Sequence, residues 1–376
     1  MRHTVSFPAI VATLLLLGSL SSCQPNVTSP AMPVTPDEAA LGKLIFFDST
    51  LSNPAGQACA GCHDPGAAFS DPNHAIVSPG VIPGRAADRN APAITYSSFC
   101  PENCVWSPAD RSYKGGFFDD GRSPTLEDQA AHPFLGGPEM NDTSKSQVIA
   151  KLRTRPYFSQ FAQIFGPVDD TDAVYREMTQ AIAAFERSDE LHPFTSKFDY
   201  YLLGQATLTD QEMRGMKLFS DSTKGNCASC HLMTPDPASG RILFTDFTYA
   251  NNGVPRNLND PFYTEPPSIN PAGLNFIDSG LGSVLHDRSQ IGAFKVPSLR
   301  NVAITAPYFH NGYFNTLQQV VHFYNIRDSA MHAGILPPAE CPVNVDTTDM
   351  GHLGLSTQNE EDIVAFLNTL TDGYKK

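Results

Sequence analysis

Two clusters in this sequence combine residue types suited to redox chemistry: Cys59, Cys62 and His63, and Cys227, Cys230 and His231. Thiols spaced Cys-x-x-Cys can add across the vinyl groups of a haem. A histidine directly after the second cysteine then brings an imidazole to the iron as axial ligand. Zinc also binds paired cysteines, but zinc gives no reason for a histidine after each pair. A thioredoxin-like dithiol would need a strand-to-helix setting, which neither motif has. The pattern predicts two covalently bound c-type haems with His63 and His231 as proximal ligands.

The elements that must carry these motifs repeat along the chain. Gly42-Lys43-Leu44-Ile45-Phe46-Phe47-Asp48-Ser49-Thr50 is echoed by Gly215-Met216-Lys217-Leu218-Phe219-Ser220-Asp221-Ser222-Thr223, and Phe69-Ser70-Asp71 by Phe244-Thr245-Asp246. The loops between the echoes and the motifs differ in length, so these are related units rather than a strict array. Each unit opens on an amphipathic helix, predicted over Pro36 to Phe47 and Asp210 to Phe219. Thr35 and Thr209 are the N-caps, and Glu38 and Glu212 stand at the capping-box position. Further helices are predicted over Leu126 to Ala131, Lys145 to Arg153, Ala173 to Arg187, Leu317 to Tyr324 and Gln358 to Leu370. Strand-like alternation is sparse, and 27 Gly with 31 Pro imply long loops. The fold class expected is mainly α, with two cytochrome-c-like haem domains at 36–190 and 191–376, the boundary near Ser188 to Leu202.

Arg2, an apolar stretch from Phe7 to Leu20 and then Ser21-Ser22-Cys23 read as an export signal over 1–22, too short to span a bilayer. Leu20-Ser21-Ser22-Cys23 resembles a bacterial lipobox, which predicts a lipid anchor at Cys23, a flexible tether over 23–35 and a periplasmic location. Losing 1–22 removes Arg2 and no acid, so the formal charge of −14 becomes −15. Nucleic acid is therefore not an expected partner. An acidic surface suits a small basic redox protein. Export permits disulfides among Cys100, Cys104 and Cys341, with the connectivity left open and one thiol over.

From Arg89-Asn90-Ala91-Pro92 onward the sequence resembles the bacterial di-haem cytochrome c peroxidase and MauG family. The resemblance is carried by Asp120-Gly121-Arg122, Leu126-Glu127-Asp128-Gln129-Ala130, Pro133, Gly137-Pro138-Glu139-Met140, Phe294-Lys295-Val296-Pro297-Ser298-Leu299-Arg300-Asn301 and Ala306-Pro307-Tyr308-Phe309-His310-Asn311-Gly312. It implies an open distal side at the first haem lined by Gln129, Pro133 and Glu139, where a carboxylate can shuttle a proton between the oxygens of hydrogen peroxide. It implies Tyr324 as distal ligand of the second haem, with His322 and Met331 as the competing candidates. It further implies a calcium between the haems held by Asn90 and the backbone oxygens of Thr305 and Pro307. The family's inter-haem tryptophan position holds Asp119. Trp106, the single tryptophan, or Phe117 or Phe118 is then the candidate to fill the gap. His74 reads as a solvent-facing loop histidine.

The function these implications point to is reduction of hydrogen peroxide with electrons from a cytochrome c or a cupredoxin. The alternatives are a MauG-like oxidase acting on aromatic residues of a protein substrate and a non-enzymatic di-haem electron carrier.

Overall fold

The computed structural model describes residues 35–375 apart from 238; the signal, lipobox and most of the tether predicted above lie outside them. Ten α-helices are present among the described residues: α1 (Pro36–Phe46), α2 (Leu126–Leu135), α3 (Lys145–Leu152), α4 (Phe158–Phe165), α5 (Thr171–Glu186), α6 (Lys197–Leu202), α7 (Asp210–Ser220), α8 (Leu281–Leu285), α9 (Leu317–His332) and α10 (Thr357–Asn368). Four short strands form two antiparallel pairs, β1 (Val105–Ser107) with β2 (Ser112–Lys114) and β3 (Tyr249–Ala250) with β4 (Phe294–Lys295). The fold is mainly helical, as expected. No described helix is long and apolar enough to cross a membrane.

The repeat seen in sequence is a repeat of packing. Thr35 and Thr209 each close a capping box, with Glu38 and Glu212. Gly42 sits where α1 crosses α5, and a Cβ there would lie 1.7 Å from Ala181 O. Gly215 sits where α7 crosses α10, and its Cβ would lie 1.8 Å from Asp362 O. Each crossing therefore brings backbone against backbone, which only glycine permits.

Three rings close over each crossing. Phe46, Phe69 and Phe185 have centroids 5.2, 6.1 and 6.2 Å apart, and Phe219, Phe244 and Phe366 5.3, 6.2 and 6.2 Å apart. All six are buried, each contributing about 1.5–3 kcal/mol. One apolar core gathers residues between Leu41 and Leu191, and another gathers residues between Phe198 and Leu370.

Five helices differ from the sequence expectation. α2 runs on to Leu135, through Pro133, because proline costs only one helical bond here and Gly136 N closes the end on His132 O and Pro133 O. α9 continues past Tyr324 to His332 because its later turns are buried against loops remote in sequence. α4, α6 and α8 were not expected; α8 has only five residues, and α6 has six and is held by a Ser196–Asp199 capping box.

Candidate functional site

Each Cys-x-x-Cys-His motif starts on a single 3₁₀ turn, Cys59–Gly61 and Cys227–Ser229, which keeps the two thiols and the following imidazole close together. His63 Nδ1 lies 3.1 Å from Phe69 O, and His231 Nδ1 lies 3.0 Å from Phe244 O. Phe69 and Phe244 have φ of 58° and 55°, a conformation that turns their carbonyls back onto the rings. With Nδ1–H donating to a carbonyl, Nε2 is the nitrogen left to bind a metal, the usual arrangement of a ligating histidine. Burial lowers the pKa of both imidazoles, which favours the neutral form that a ligand needs.

Both motifs open into one cavity, whose wall includes Cys62, His63, Cys227, Cys230 and His231. The donor set is two separate thiol pairs, each with its own buried imidazole, on an apolar cavity rimmed by aromatic rings. It fits two haems. No cluster of three or more His, Cys, Asp or Glu placed for a single metal ion occurs among the described residues, so the zinc reading has no geometry to support it.

Gln129, Pro133 and Glu139 line the same cavity as His63. Gln129 and Pro133 are one turn apart on α2, so they share a face. Pro133 has no N–H, which removes the helical bond to Gln129 O at that face. Glu139 follows in the turn after α2, its N–H bonded to Gly136 O at 3.0 Å. A Cβ at Gly136 would come within 2.2 Å of Glu139 Oε2, so that glycine leaves room for the carboxyl. Burial pushes the Glu139 carboxyl up to about 7, with Asp88 raising it further and Arg122 opposing. The Arg122 guanidinium lies 3.6 Å from the centroid of Phe118 and pairs with Asp120 at 2.9 Å. Sequence reasoning missed Glu186, at the last turn of α5: it also lines the cavity, and burial pushes it up to about 8. Its only sequence signal was an acid directly after the apolar run Ala181 to Phe185.

On the His231 side, Tyr324 projects from α9 into the cavity, and Asn252 Nδ2 donates to its hydroxyl at 3.1 Å. Burial raises the phenol pKa, and the Cys227 and Cys230 thiols act in the same direction. The two competing ligands lie elsewhere. His322 is 54% exposed with Nδ1 3.0 Å from Glu360, and Met331 packs against the cluster of Val254, Phe314 and Phe323.

Between the two motifs, Phe117, Phe118 and Asp119 all form cavity wall. Asp119 is held by its backbone, with Lys295 N donating to its carbonyl at 2.8 Å. Burial raises its carboxyl pKa against the pull of Arg89 and Lys295. Trp106 does not enter this gap: it is 51% exposed on β1, its ring 5.4 Å from that of Tyr113 across the hairpin. Phe294 and His310, stacked at 3.7 Å and 8°, also line the cavity.

Asn90, Thr305 and Pro307 also line the cavity. Asn90 Nδ2 donates to Ala75 O and Ile76 O at 3.1 and 3.0 Å, which leaves Oδ1 as its available acceptor. His74 is exposed, with Nδ1 2.8 Å from Ala306 O. Cys100, Cys104 and Cys341 are unpaired: Cys100 Sγ lies 3.2 Å from Gly116 O and Cys341 Sγ 3.3 Å from Asp278 O.

A mainly helical chain with two haem cradles on one cavity is the architecture of a di-haem cytochrome. Residues 36–207 match the family described as di-haem cytochrome c peroxidase. The methylamine utilization protein MauG of Paracoccus denitrificans (strain Pd 1222) is 36% identical over 360 residues, which cover 91% of this chain and 90% of that protein. Cytochrome c551 peroxidase of Nitrosomonas europaea is 30% identical, covering 91% and 83%. Among solved structures, the diheme peroxidase BthA from Burkholderia thailandensis superposes with a TM-score of 0.78 at 36% identity, covering 91% of this chain and 87% of that one. The chain belongs to the di-haem cytochrome c peroxidase family. It is an oxidoreductase of the peroxidase type, with two haems as cofactors.

Proposed function

We propose that this chain reduces hydrogen peroxide to water at the His63 side of the cavity and is recharged with electrons through the His231 side. When bound, the haems supply the iron that takes up peroxide and the electrons that reduce it. The balance is one hydrogen peroxide, two electrons and two protons to two waters. The observation that carries the reading is Glu139: a buried carboxyl titrating near neutrality, in the same cavity as His63, can both accept and return a proton. Glu139 takes the proton from the inner oxygen of peroxide and delivers it to the outer one, which leaves as water. Gln129 offers its amide to orient the peroxide, and Pro133 keeps that wall free of a competing donor. In this reading residues 36–190 serve the reactive haem and 191–376 the electron-storing one.

Tyr324 is the distal ligand of the second haem. The cation between the haems is calcium, held by Asn90 Oδ1 and the carbonyls of Thr305 and Pro307. The acidic chain draws electrons from a small basic donor, a cytochrome c or a cupredoxin, in the periplasm. Cleavage before Cys23 leaves the protein lipid-anchored, and the mass of the mature N-terminus tests this: an unmodified end at any other residue removes the anchor.

Tyr324 also favours a second reading, a MauG-like oxidase that draws electrons from aromatic side chains of a protein substrate. A phenolate ligand stabilises the higher oxidation states of iron, where a thioether would raise the potential. Steady-state turnover separates the two. Fast peroxide-dependent oxidation of a cytochrome c or cupredoxin supports the peroxidase, and peroxide consumption without such turnover supports the oxidase. A protein that consumes no peroxide is a carrier, and the proposal fails.

A further inference from the structure

Arg327 is the bulkiest of the fully buried side chains, with its side chain 0% exposed. It lies on α9 three residues beyond Tyr324, hence on the same helix face. Its Nη1 donates to Asn252 O at 3.0 Å, Nη2 to Asp346 O at 2.5 Å and to Met350 O at 3.1 Å, and Nε to Asp328 Oδ1 at 2.9 Å.

The segments it ties down are the ones that hold Tyr324. Asn252 gives its side-chain amide to the Tyr324 hydroxyl, and Gly351 N donates to Tyr324 O at 2.7 Å. Both segments fold tightly around the guanidinium. Gly253 and Gly351 have φ of +68° and +103°, and a Cβ would come 3.2 Å from Arg327 Cδ at the first and 2.5 Å from Nη2 at the second. Asn252, Tyr324 and Met350 all line the cavity beside His231.

A buried guanidinium is costly, and apolar residues of similar volume are often as stable or more so. Here its one carboxylate partner, Asp328, is itself a third exposed, so most of its donors are spent on backbone carbonyls of two separate loops. That is a device for fixing geometry.

We propose that Arg327 is a positioning residue that locks Tyr324 onto the distal face of the second haem through Asn252, keeping that face shut to exogenous ligands. The proposal rests on the reading of Tyr324 as ligand. Arg327 touches neither the ring nor the cavity; it acts by holding Asn252 and the 346–351 loop in register with α9.

Cyanide titration of the oxidised holoprotein, followed by electron paramagnetic resonance of both haems, tests it. In the unaltered chain cyanide is expected to bind at the first haem alone. Arg327→Gln and Asn252→Leu are expected to raise the cyanide affinity of the second haem at least tenfold and to give it a high-spin fraction, with the first haem unchanged within twofold. Arg327→Lys, which keeps the charge but loses the fork, is expected to open it by less. Tyr324→Phe is the reference and opens the second haem fully. The lock is overturned if Tyr324→Phe opens the second haem while Asn252→Leu and the foldable Arg327 variants leave it as closed as before. A second haem that stays shut in Tyr324→Phe overturns the ligand assignment and the lock with it, and peroxide consumption at the first haem then judges the peroxidase reading separately. Should Arg327→Gln not fold, Arg327→Lys and Asn252→Leu decide.

Discussion

Replacing Glu139 with Gln keeps the shape of the side chain and removes its ability to accept a proton. The carboxyl titrates at about 7 because burial penalises its charged form. The ionised fraction is therefore about one half at pH 7, about a tenth at pH 6 and about nine tenths at pH 8. If the carboxylate takes the first proton of peroxide, the second-order rate of peroxide consumption rises about tenfold from pH 6 to pH 8 and levels off above. A positioned acid–base group contributes about 10²–10⁴-fold, or roughly 2.7–5.5 kcal/mol of barrier. Glu139→Gln should lose that factor at pH 8 and lose the pH dependence with it. Stopped-flow mixing of the oxidised holoprotein with peroxide between pH 5.5 and 8.5 measures both. A variant within threefold of the parent, or one that keeps a midpoint near pH 7, refutes the assignment, because the titrating group would then lie elsewhere in the cavity. The haem absorbance must be unchanged in the variant, so that loss of cofactor does not imitate loss of the base.

Glu186 makes a prediction of opposite kind. Its folded pKa of about 8 exceeds the usual carboxyl value near 4.5, so folding takes up a proton between those pH values and this group costs stability as pH rises through that window. Glu186→Gln should therefore stabilise the chain at pH 8, by at most about 5 kcal/mol, with little effect at pH 4.5, read as the change in thermal midpoint against pH; equal shifts at both ends would contradict it. Gly42→Ala and Gly215→Ala each force a methyl into a backbone carbonyl, so each should lower stability by about 1–3 kcal/mol or more, measured by denaturant unfolding; a neutral substitution would show that the helices part freely. Trp106→Phe should leave electron transfer between the haems unchanged in pulse radiolysis, since its ring packs on Tyr113 outside the gap, and a slowed transfer would count against the placement. Asn90→Ala should weaken calcium binding at least tenfold by isothermal titration, and an unaltered affinity would move the cation elsewhere.

The cofactor was legible in the sequence because haem attachment is local chemistry: two thiols and an imidazole within one turn suffice, and residues 59–63 and 227–231 state it without help from the rest of the chain. The capping boxes at Thr35 and Thr209 and the repeat around Gly42 and Gly215 were legible for the same reason. Their meaning was not. That Gly42 and Gly215 lie under the carbonyls of Ala181 and Asp362, well over a hundred positions away, is a property of two helix crossings that no local window contains.

What surrounds the candidate residues of the two distal sides was decided by tertiary structure. Glu139 is an ordinary acid after Gly-Pro until the cavity buries it, and its pKa near neutrality is a consequence of desolvation rather than of any neighbour in sequence. Trp106 had the right chemistry to bridge the haems but stands in a hairpin whose pairing turns it to solvent. Tyr324, His322 and Met331 share one helix, and only the direction in which α9 faces the His231 cradle separates them. Arg327 and Asn252 carried no signal, and Glu186 only the apolar run before it, because burial and long-range hydrogen bonding exist only once segments remote along the chain have been brought into contact.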